Sequence, residues 1–355
     1  MYASLVTPAN LYPEELDRYL ENGWFRLGRN LFTTSFLTFQ DSLFDALWLR
    51  VHLPDFVPSR SQRELLKKST RFQVRDREFE LTEEKEALFA LYRESVSFQP
   101  AKNLAGILPP ECTLFDSREV CIFDGDRLIA CGVYDQGKSA AEGIVNFFDP
   151  EYKRFSLGKL LMLHKIRVCR ENGSDWFYPG YVVPGYARFD YKLEISREHT
   201  EFYNRVTGTW QNTQSLNLKE QPLSRMVGAL VQLEGILHSF GFLDFQVKRY
   251  RFYDIMLDPA YSSYGLITSP YFIYCFPRSG WEEVIITFDV FTESYRLITC
   301  KKLFSVTVPA EPHYYSEFLL REDRRVFAEN NPFNFVFGLN KLLKRNIPTQ
   351  EVKSP

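Results

Sequence analysis

The stretch FFDPEYKRFSLGKLLMLHKIR, residues 147–167, decides how the middle of this chain folds. It opens with an aromatic run typical of a strand and turns at Asp149 and Pro150. From Leu157 onward, apolar residues recur at helical spacing and predict a helix that continues to residue 171. The stretch therefore predicts a strand, a short turn and a buried helix in direct succession.

The start of this predicted helix carries the chemistry of the stretch. A helix N-terminus presents backbone N–H groups without partners and the positive end of the helix dipole, which together favour an anion. Ser156 is predicted as the N-cap, and Gly158 would let a ligand approach the backbone closely. Lys153, Arg154 and Lys159 add positive charge. An ordinary capped helix with solvated lysines would have the same sequence, so both interpretations stay open here.

The flanking segments predict the sheet to which this helix belongs. Residues 118–135 read as a hairpin around an Asp-Gly-Asp turn, and residues 139–149 read as a third strand. Residues 175–183 follow the helix as a fourth strand. Three antiparallel strands, a helix and a further strand form the central order of the Gcn5-related acyltransferase fold. The predicted class is therefore α/β (α+β) with a mixed sheet.

Outside this centre the sequence predicts further elements. They are helices at 13–23, from Thr82 to about Phe98, at 224–239 and at 333–345; a polar linker at 207–224; and strands at 244–257, 283–291 and 294–301. The predicted domains are an N-terminal domain (1–78), an acyltransferase-like domain (79–205) and an accessory α+β region (206–355). The role and any dimerisation of this last region stay open.

Composition excludes several classes of protein. The chain has 355 residues, 45% of them hydrophobic and 25% charged, which argues against disorder. The net charge of −2 gives no overall basic signature, so contact with nucleic acid would need local basic patches. The 6 cysteines lack Cys-x-x-Cys spacing, so we expect reduced thiols and no metal site. No apolar run approaches a membrane span, and no signal peptide is evident; we expect a cytoplasmic protein.

One local patch is strongly basic. Residues 58–77 carry seven arginines and lysines against Glu64 and Asp76. This strip could contact phosphates independently of base sequence, or it could be the solvated face of a helix. Its basic residues are Arg60, Arg63, Lys67, Lys68, Arg71, Arg75 and Arg77.

Several short motifs, taken together, resemble the aminoacyl-tRNA–protein transferases, the arginyl- and leucyl-transferases of the N-end rule. The resemblance covers about residues 11–200 and depends on the order and spacing of the motifs. These are DFVPSRSQR (55–63), then Phe148, Asp149 and Pro150, then Ser156, Leu157 and Gly158, then Tyr178, Gly180 and Tyr181, then Gly185, and finally Tyr191 and Lys192.

The resemblance implies an aminoacyltransferase that moves an amino acid, arginine or leucine, from charged tRNA to an α-amine, typically a protein N-terminus with an acidic residue. It implies that Asp149, Tyr191 and Lys192 are catalytic. It implies that tRNA and acceptor are bound by Arg60, Ser61, Gln62, Arg63, Lys67, Lys68, Lys153, Arg154, Ser156, Leu157, Gly158, Lys159, Tyr178 and Tyr181. The charged tRNA is the co-substrate, and no metal is needed because the ester is already activated.

The chain departs from the family in its N-terminal region. Family members carry a cysteine cluster there that is implicated in holding an iron–sulfur cluster. Here Gln40, Leu43 and Ala46 stand where those cysteines would fall, so no such cofactor is expected. Residues 185–192, GYARFDYK, also differ from the family pattern, which leaves acceptor recognition open.

Two other functions compete with aminoacyl transfer. One is coenzyme A-dependent N-acylation, for which the loop before Lys159 is a poor pyrophosphate motif. The other is a non-catalytic descendant that binds RNA or protein. The donated amino acid and the acceptor cannot be read from the sequence.

Overall fold

The computed structural model describes residues 1–96, 101–217, 221–277, 282–309 and 311–345. The chain forms two compact units, one of Leu5–Leu218 and a smaller one of Met1–Ser4 with Lys219–Pro355. Whether residues 1–78 form a separate domain within the larger unit stays a prediction.

The larger unit contains five helices and most of the first thirteen strands. Its helices are α1 (Pro13–Glu21), α2 (Arg60–Lys68), α3 (Glu83–Ser95), α4 (Leu104–Ile107) and α5 (Leu157–Glu171). The first strand, β1 (Ala3–Val6), begins in the residues of the smaller unit. The others are β2 (Phe25–Leu27), β3 (Asn30–Thr34), β4 (Phe36–Phe39), β5 (Ser42–Asp45), β6 (Leu47–His52), β7 (Gln73–Glu78), β8 (Asp116–Asp124), β9 (Arg127–Gln136), β10 (Ala140–Phe148), β11 (Trp176–Val182), β12 (Thr200–Asn204) and β13 (Thr209–Asn212).

The central sheet has eight strands in the order β13-β12-β6-β11-β10-β9-β8-β7. Strands β7 to β10 are antiparallel neighbours, whereas β10 and β11 run parallel. A parallel pair needs a crossover, and α5 supplies it. The predicted hairpin, third strand, helix and fourth strand are all present, which confirms the mixed α/β sheet.

The parallel pair β10–β11 separates soon after it begins. Its register covers three residue pairs, the last being Glu142 with Tyr178. Beyond that point β10 has a register shift after Gly143 and β11 has one before Gly180. We call the opening between Gly143–Phe148 of β10 and Gly180–Val182 of β11 the strand splay.

Helix α5 is held by its apolar face. Ten of its residues are buried, among them Leu157, Leu160 and Leu161 in the main core with β8 and β9. The helix ends at Asn172, followed by Gly173 with a φ of +84°, a conformation that favours glycine. Both limits match the predicted range 157–171.

The structure corrects parts of the sequence-based prediction. The predicted linker 207–224 contains β13 and a 3-10 turn at Thr213–Ser215, because Trp210 and Gln211 pair with β12. Its residues 218–220 lie outside the described ranges, as do the last residues, 97–98, of the predicted helix after Thr82. The short strands β1 to β5 were missed because three to five residues carry little periodic signal.

The smaller unit is a six-stranded sheet with two helices, α6 (Pro222–Ser239) and α7 (Pro332–Arg345). Its strands are β14 (Gln246–Tyr250), β15 (Tyr271–Pro277), β16 (Glu282–Asp289), β17 (Ser294–Ser305), β18 (Tyr314–Tyr315) and β19 (Phe318–Glu329), in the order β18-β14-β15-β16-β17-β19. Strand β19 forms one edge of this sheet and carries the exposed run Arg321–Arg325. Within the described residues, no helix of either unit is long and apolar enough to cross a membrane.

His164 makes the stability of this fold depend on pH. Its ring is buried on α5, and neither ring nitrogen has a hydrogen-bond partner among the described residues. Burial, with a smaller contribution from Arg167, lowers the pKa of His164 to about 4.

We therefore expect stability to fall as the pH drops from about 7 towards 4, since the unfolded histidine protonates first. The loss should reach up to about 3 kcal/mol. His164→Phe, followed by urea unfolding across this pH range, should flatten the dependence. Equal pH slopes for the variant and the parent chain would contradict this assignment.

Candidate active site

A cavity of about 740 Å³ lies between α2, α5 and the segment 191–199. Ligand sites typically measure about 300–1,000 Å³, so this one can accept a nucleotide-sized group. The cavity brings together three separate stretches of the sequence, 57–65, 156–163 and 191–199. Its lining residues are Val57, Ser59, Ser61, Gln62, Leu65, Ser156, Lys159, Met162, Leu163, Tyr191, Glu194, Ile195, Ser196, Arg197, Glu198 and His199.

Gln62 builds one wall of the cavity. Its carboxamide oxygen accepts a hydrogen bond from the Ser59 backbone N–H at 2.8 Å, which completes a capping box at the start of α2. Its Nε2 donates to the carbonyl oxygens of Ile195 at 2.9 Å and Glu194 at 3.3 Å. One side chain therefore caps α2 and anchors the facing loop. Ser61 lies beside it, with its Oγ 3.0 Å from that of Ser59.

The two arginines of this motif point elsewhere. Arg60 is exposed and pairs with Glu64 at 3.2 Å, and Arg63 donates to the Pro58 carbonyl oxygen at 2.8 Å. Neither arginine lines the cavity. Of the four predicted residues 60–63, the structure brings Ser61 and Gln62 to the site.

Ser156 occupies the N-cap position of α5 in an unexpected way. Its backbone is left-handed, with φ 52° and ψ 45°, and its side chain makes no capping hydrogen bond. The prediction that Ser156 caps through its hydroxyl is therefore wrong. Such a conformation costs about 1–2 kcal/mol for a residue other than glycine. Ser156 lines the cavity, and the helix start is left without a side-chain cap.

The two residues after Ser156 pack against other parts of the larger unit. Leu157 is fully buried, so it positions the helix rather than a ligand. A Cβ on Gly158 would lie 3.4 Å from the Phe148 ring, and Gly158 is not part of the cavity lining. The structure thus places Gly158 against β10 and leaves Ser156 and Lys159 at the cavity.

Charges of both signs surround the cavity. Lys159 pairs with Glu194 at 2.7 Å. Arg197 lines the cavity, and its guanidinium has no hydrogen bond or ion pair among the described residues. Sequence reasoning missed Arg197 and His199; the available signal was their position five to eight residues after the Tyr191-Lys192 motif.

A second group of basic residues lies outside the cavity lining. Lys67 and Lys68 are exposed at the end of α2. Lys153 and Arg154 are exposed in a 3-10 helix, Pro150–Phe155, whose Phe155 packs on Phe72 at 5.1 Å. This contact brings the 3-10 helix to the residues that join α2 to β7, so both basic segments of the sequence lie in one neighbourhood.

Lys192 is buried without an acidic partner. Its Nζ donates to the Tyr181 carbonyl oxygen at 3.0 Å and lies over the rings of Tyr181 and Phe189. A Cβ on Gly180 would lie 3.1 Å from this Nζ, which places the amine at the strand splay. Burial, together with the charge of Lys165, lowers the pKa of Lys192 to about 7. The preceding residue, Tyr191, lines the cavity.

Tyr178 and Tyr181 are part of an aromatic core. Tyr178 packs on Phe25 at 6.3 Å and Trp210 at 5.5 Å, and Tyr181 packs on Trp48 and Phe189. Burial raises the pKa of both hydroxyls to about 12. Neither ring lines the cavity, so a substrate contact by these tyrosines stays a prediction.

Asp149 is buried and fully engaged. One oxygen accepts the Glu151 backbone N–H at 2.9 Å, and the other pairs with Arg127 at 2.5 Å. These contacts cap the 3-10 helix that follows β10. The structure does not bring Asp149 to the cavity lining, and its catalytic role stays a prediction.

Three buried side chains on β8 and β9 are close enough together to be considered as a metal site. Glu119, Cys121 and Cys131 have potential ligand atoms within 4.8 Å of one another, but Glu119 already pairs with Lys85 at 2.6 Å and Arg77 at 2.7 Å. Burial and the neighbouring thiol raise the pKa of Cys131, so its protonated form is favoured. This trio lacks the charge balance of a metal site.

The β4–β5 hairpin contains the positions at which the family has cysteines. Its turn includes Gln40, Leu43 lies on β5, and Ala46 is buried just beyond it. An iron–sulfur cluster requires thiolate ligands, and an amide and two apolar side chains offer none. The residues present do not fit such a cluster.

Comparison with known proteins shows what the middle of the chain is similar to. Residues 65–201 match the family described as "Arginine-tRNA-protein transferase, C terminus". This segment contains the strand splay, α5 and most of the cavity. Residues 65–201, less than half of the chain, are therefore similar to the C-terminal part of the arginine-tRNA-protein transferases.

About half of the chain is also similar in sequence to bacterial aspartate/glutamate leucyltransferases. The protein from Leptospira interrogans is 29% identical over 196 residues, covering 52% of this chain and 73% of its own length. The one from Vibrio cholerae is 26% identical over 201 residues, covering 55% of this chain and 83% of its own.

Solved structures give weaker likenesses. The C-terminal domain of a putative lysylphosphatidylglycerol synthetase from Agrobacterium fabrum has a TM-score of 0.32 and 16% identity, covering 49% of this chain and 53% of its own. A region described as a GCN5-related glucosamine N-acetyltransferase, in a fungal enzyme, has a TM-score of 0.30 and 11% identity, covering 54% of this chain and 22% of its own. The fold assignment here rests on the sheet order.

Two buried lysines of the larger unit, Lys192 and Lys85, should change the free energy of unfolding in opposite directions when each is replaced by methionine. In the unfolded chain Lys192 is charged at pH 7, whereas burial opposes that charge in the folded state. We expect Lys192→Met to stabilise the fold by up to about 4 kcal/mol at pH 7, an effect that disappears above pH 10.5.

Lys85 provides the matched control, because it is equally buried but paired with Glu119. Lys85→Met should destabilise the fold, since it removes a partner of a buried carboxylate. Urea unfolding of both variants at pH 7 and pH 10.5 makes the comparison. A loss of stability in Lys192→Met would show that its amine is paired in solution.

Proposed function

We propose that this chain transfers an aminoacyl group from charged tRNA to the α-amine of a protein or peptide N-terminus. The observation that carries the proposal is the shared cavity, in which the α2 motif meets the start of α5 and Tyr191. The match of residues 65–201 to the arginine-tRNA-protein transferases supports the reaction class, and the names of the relatives support an N-terminal aspartate or glutamate as acceptor. Leucine or arginine is the donated residue.

The cavity suits the 3′-terminal nucleotide of the donor. Leu65, Met162, Leu163 and Ile195 supply apolar walls for a base, and Tyr191 offers an aromatic ring. Arg197 and the uncapped start of α5 offer positive charge to a phosphate or ribose oxygen. Lys159 would contribute once its pairing with Glu194 is exchanged for a phosphate.

The body of the tRNA would contact the second basic group. Lys67, Lys68, Lys153 and Arg154 are exposed and could pair with phosphates without reading sequence. Arg60 and Arg63 lie at the other end of α2 and extend this surface. Each such contact releases counterions, so affinity for tRNA should fall steeply with salt.

The reaction needs little beyond positioning and one proton acceptor. The acceptor nitrogen attacks the ester carbonyl carbon, a C–N bond forms, and the C–O bond to the tRNA ribose breaks. The amine loses one proton, and the leaving ribose oxygen gains one. Lys192 is the base that we assign, because its amine lies at the strand splay next to Tyr191 and its pKa is lowered to about 7, which leaves a large neutral fraction at that pH. Positioning by the cavity supplies the remaining rate gain.

The direct test is a transfer assay with purified protein. Total tRNA charged with mixed radiolabelled amino acids is offered with peptides that begin with Asp, Glu or a neutral residue, and acetyl-CoA is offered in parallel. We expect label to pass from tRNA to the acidic peptides. Transfer from acetyl-CoA alone would replace this proposal with coenzyme A-dependent acylation. Tight tRNA binding without transfer would indicate a binding protein. The proposal places the protein in the cytoplasm.

Arg197 should contribute to binding of the charged tRNA and not to binding of the acceptor peptide. Losing one charge-assisted contact costs about 1.5–3 kcal/mol, so Arg197→Ala should raise KM for charged tRNA about tenfold or more and leave KM for the peptide unchanged. Arg29→Ala, an exposed arginine in the β2–β3 turn outside the cavity lining, is the control. Equal effects of both substitutions would remove Arg197 from the donor site.

A further inference from the structure

A second buried lysine lies at the strand splay. Lys165 extends from α5, its side chain is fully buried, and its Nζ donates to the Val133 carbonyl oxygen at 3.3 Å. Its ammonium also lies 5.9 Å from the centre of the Phe177 ring. Among the described residues, neither Lys165 nor Lys192 forms an ion pair with a carboxylate, and each donates to a single carbonyl oxygen.

The two amines converge on the same part of the sheet. A Cβ on Gly143 would lie 3.3 Å from the Lys165 Nζ and 3.6 Å from the Tyr178 carbonyl oxygen. A Cβ on Gly180 would lie 3.1 Å from the Lys192 Nζ. Tyr178 and Gly180 are two residues apart on β11, a separation of about 7 Å. Both amines therefore lie where β10 and β11 separate, that of Lys165 beside Gly143 and that of Lys192 beside Gly180.

Burying two amines without counter-charges lowers the stability of the fold. A buried amine that uses one of its three donors and has no counter-charge opposes its own protonation. Two of them close together also repel each other when both are charged. A leucine or methionine at either position would fill the same space at no electrostatic cost. Apolar side chains at both positions would therefore give a more stable fold than the two lysines. Retaining two destabilising amines at the splay indicates that they have a chemical role there.

We propose that Lys165 is a positioning residue for Lys192: its ammonium, on the same strand splay, repels a second charge and keeps the Lys192 amine available as a proton acceptor. The inference rests on the proposed function for the role of Lys192, whereas the coupling of the two amines is independent of it. Burial of Lys192 and the charge of Lys165 act in the same direction on the pKa of Lys192.

The other titratable groups around the pair do not neutralise it. Cys169 on α5 and Cys131 on β9 are the thiols near Lys165, and burial keeps both protonated at pH 7. Glu142, next to Gly143 in sequence, accepts the Arg26 backbone N–H at 3.0 Å. Burial raises the pKa of Glu142 to about 8, so it is largely neutral at pH 7. The Tyr181 hydroxyl is likewise protonated at pH 7.

The test separates the coupling from the catalytic role. The 355-residue chain, with its lysine amines dimethylated at high pH by 13C-formaldehyde and a borane reductant, is titrated by NMR, and the Lys192 signal is assigned by its loss in Lys192→Met. We expect the pKa of this signal to rise by about one unit or more in Lys165→Met and to stay low in Lys165→Arg, which keeps the charge. The acidic limb of kcat against pH for aminoacyl transfer should move upward by the same amount in Lys165→Met alone.

Each outcome has a distinct meaning. An unchanged Lys192 titration in Lys165→Met would overturn the inference, whatever happens to activity. Coupled titration in a chain without transfer activity would support the coupling and contradict the proposed function instead. Lys165→Met removes an unpaired buried charge, so it should fold with at least the stability of the parent chain; Lys165→Gln is the second variant should methionine disturb the packing.

Discussion

The short parallel pairing of β10 with β11 is the constraint on which the rest of the larger unit depends. A parallel pair must be joined by a crossover, and α5 can return the chain only by packing its apolar face across β8 and β9. Because the pairing ends after three residue pairs, the two strands diverge beyond Glu142 and Tyr178. The amines of Lys165 and Lys192 lie at this divergence, and Tyr191, which precedes Lys192, lines the cavity.

Electrostatics divide the site into two kinds of environment. The cavity and its surroundings are exposed and carry charges that water and counterions screen, which suits a polyanion that must bind and leave. The lysine side chains at the splay are buried, and there even one uncompensated charge is costly. Binding can therefore be adjusted on the surface through Arg197 or Lys159 without changing the protonation of the interior amines.

Sequence reasoning succeeded where a motif coincided with a strong periodic signal. Residues 157–171 were predicted correctly as a helix, because buried leucines recur every three or four positions before a glycine stop. The same reasoning misjudged Ser156, because a hydroxyl before a helix usually caps it and only coordinates reveal a left-handed backbone. Arg197 and Lys165 were missed because their meaning depends on neighbours from other elements: a loop arginine and a helical lysine look solvated until packing places one at a cavity and the other in the core.

The edge strand β19 of the smaller unit has a consequence for the behaviour of the chain in concentrated solution. Its five consecutive exposed residues, Arg321–Arg325, are all charged, three positive and two negative, and include Asp323 paired with Lys301 at 2.7 Å. An incoming strand would have to strip water from these charges before it could pair with this edge, part of which is already covered by the bridge between Leu266 and Arg321. The six-stranded sheet thus resists extension into intermolecular fibrils even though its inner strands β15 and β16 are rich in the aromatic and β-branched residues that favour them.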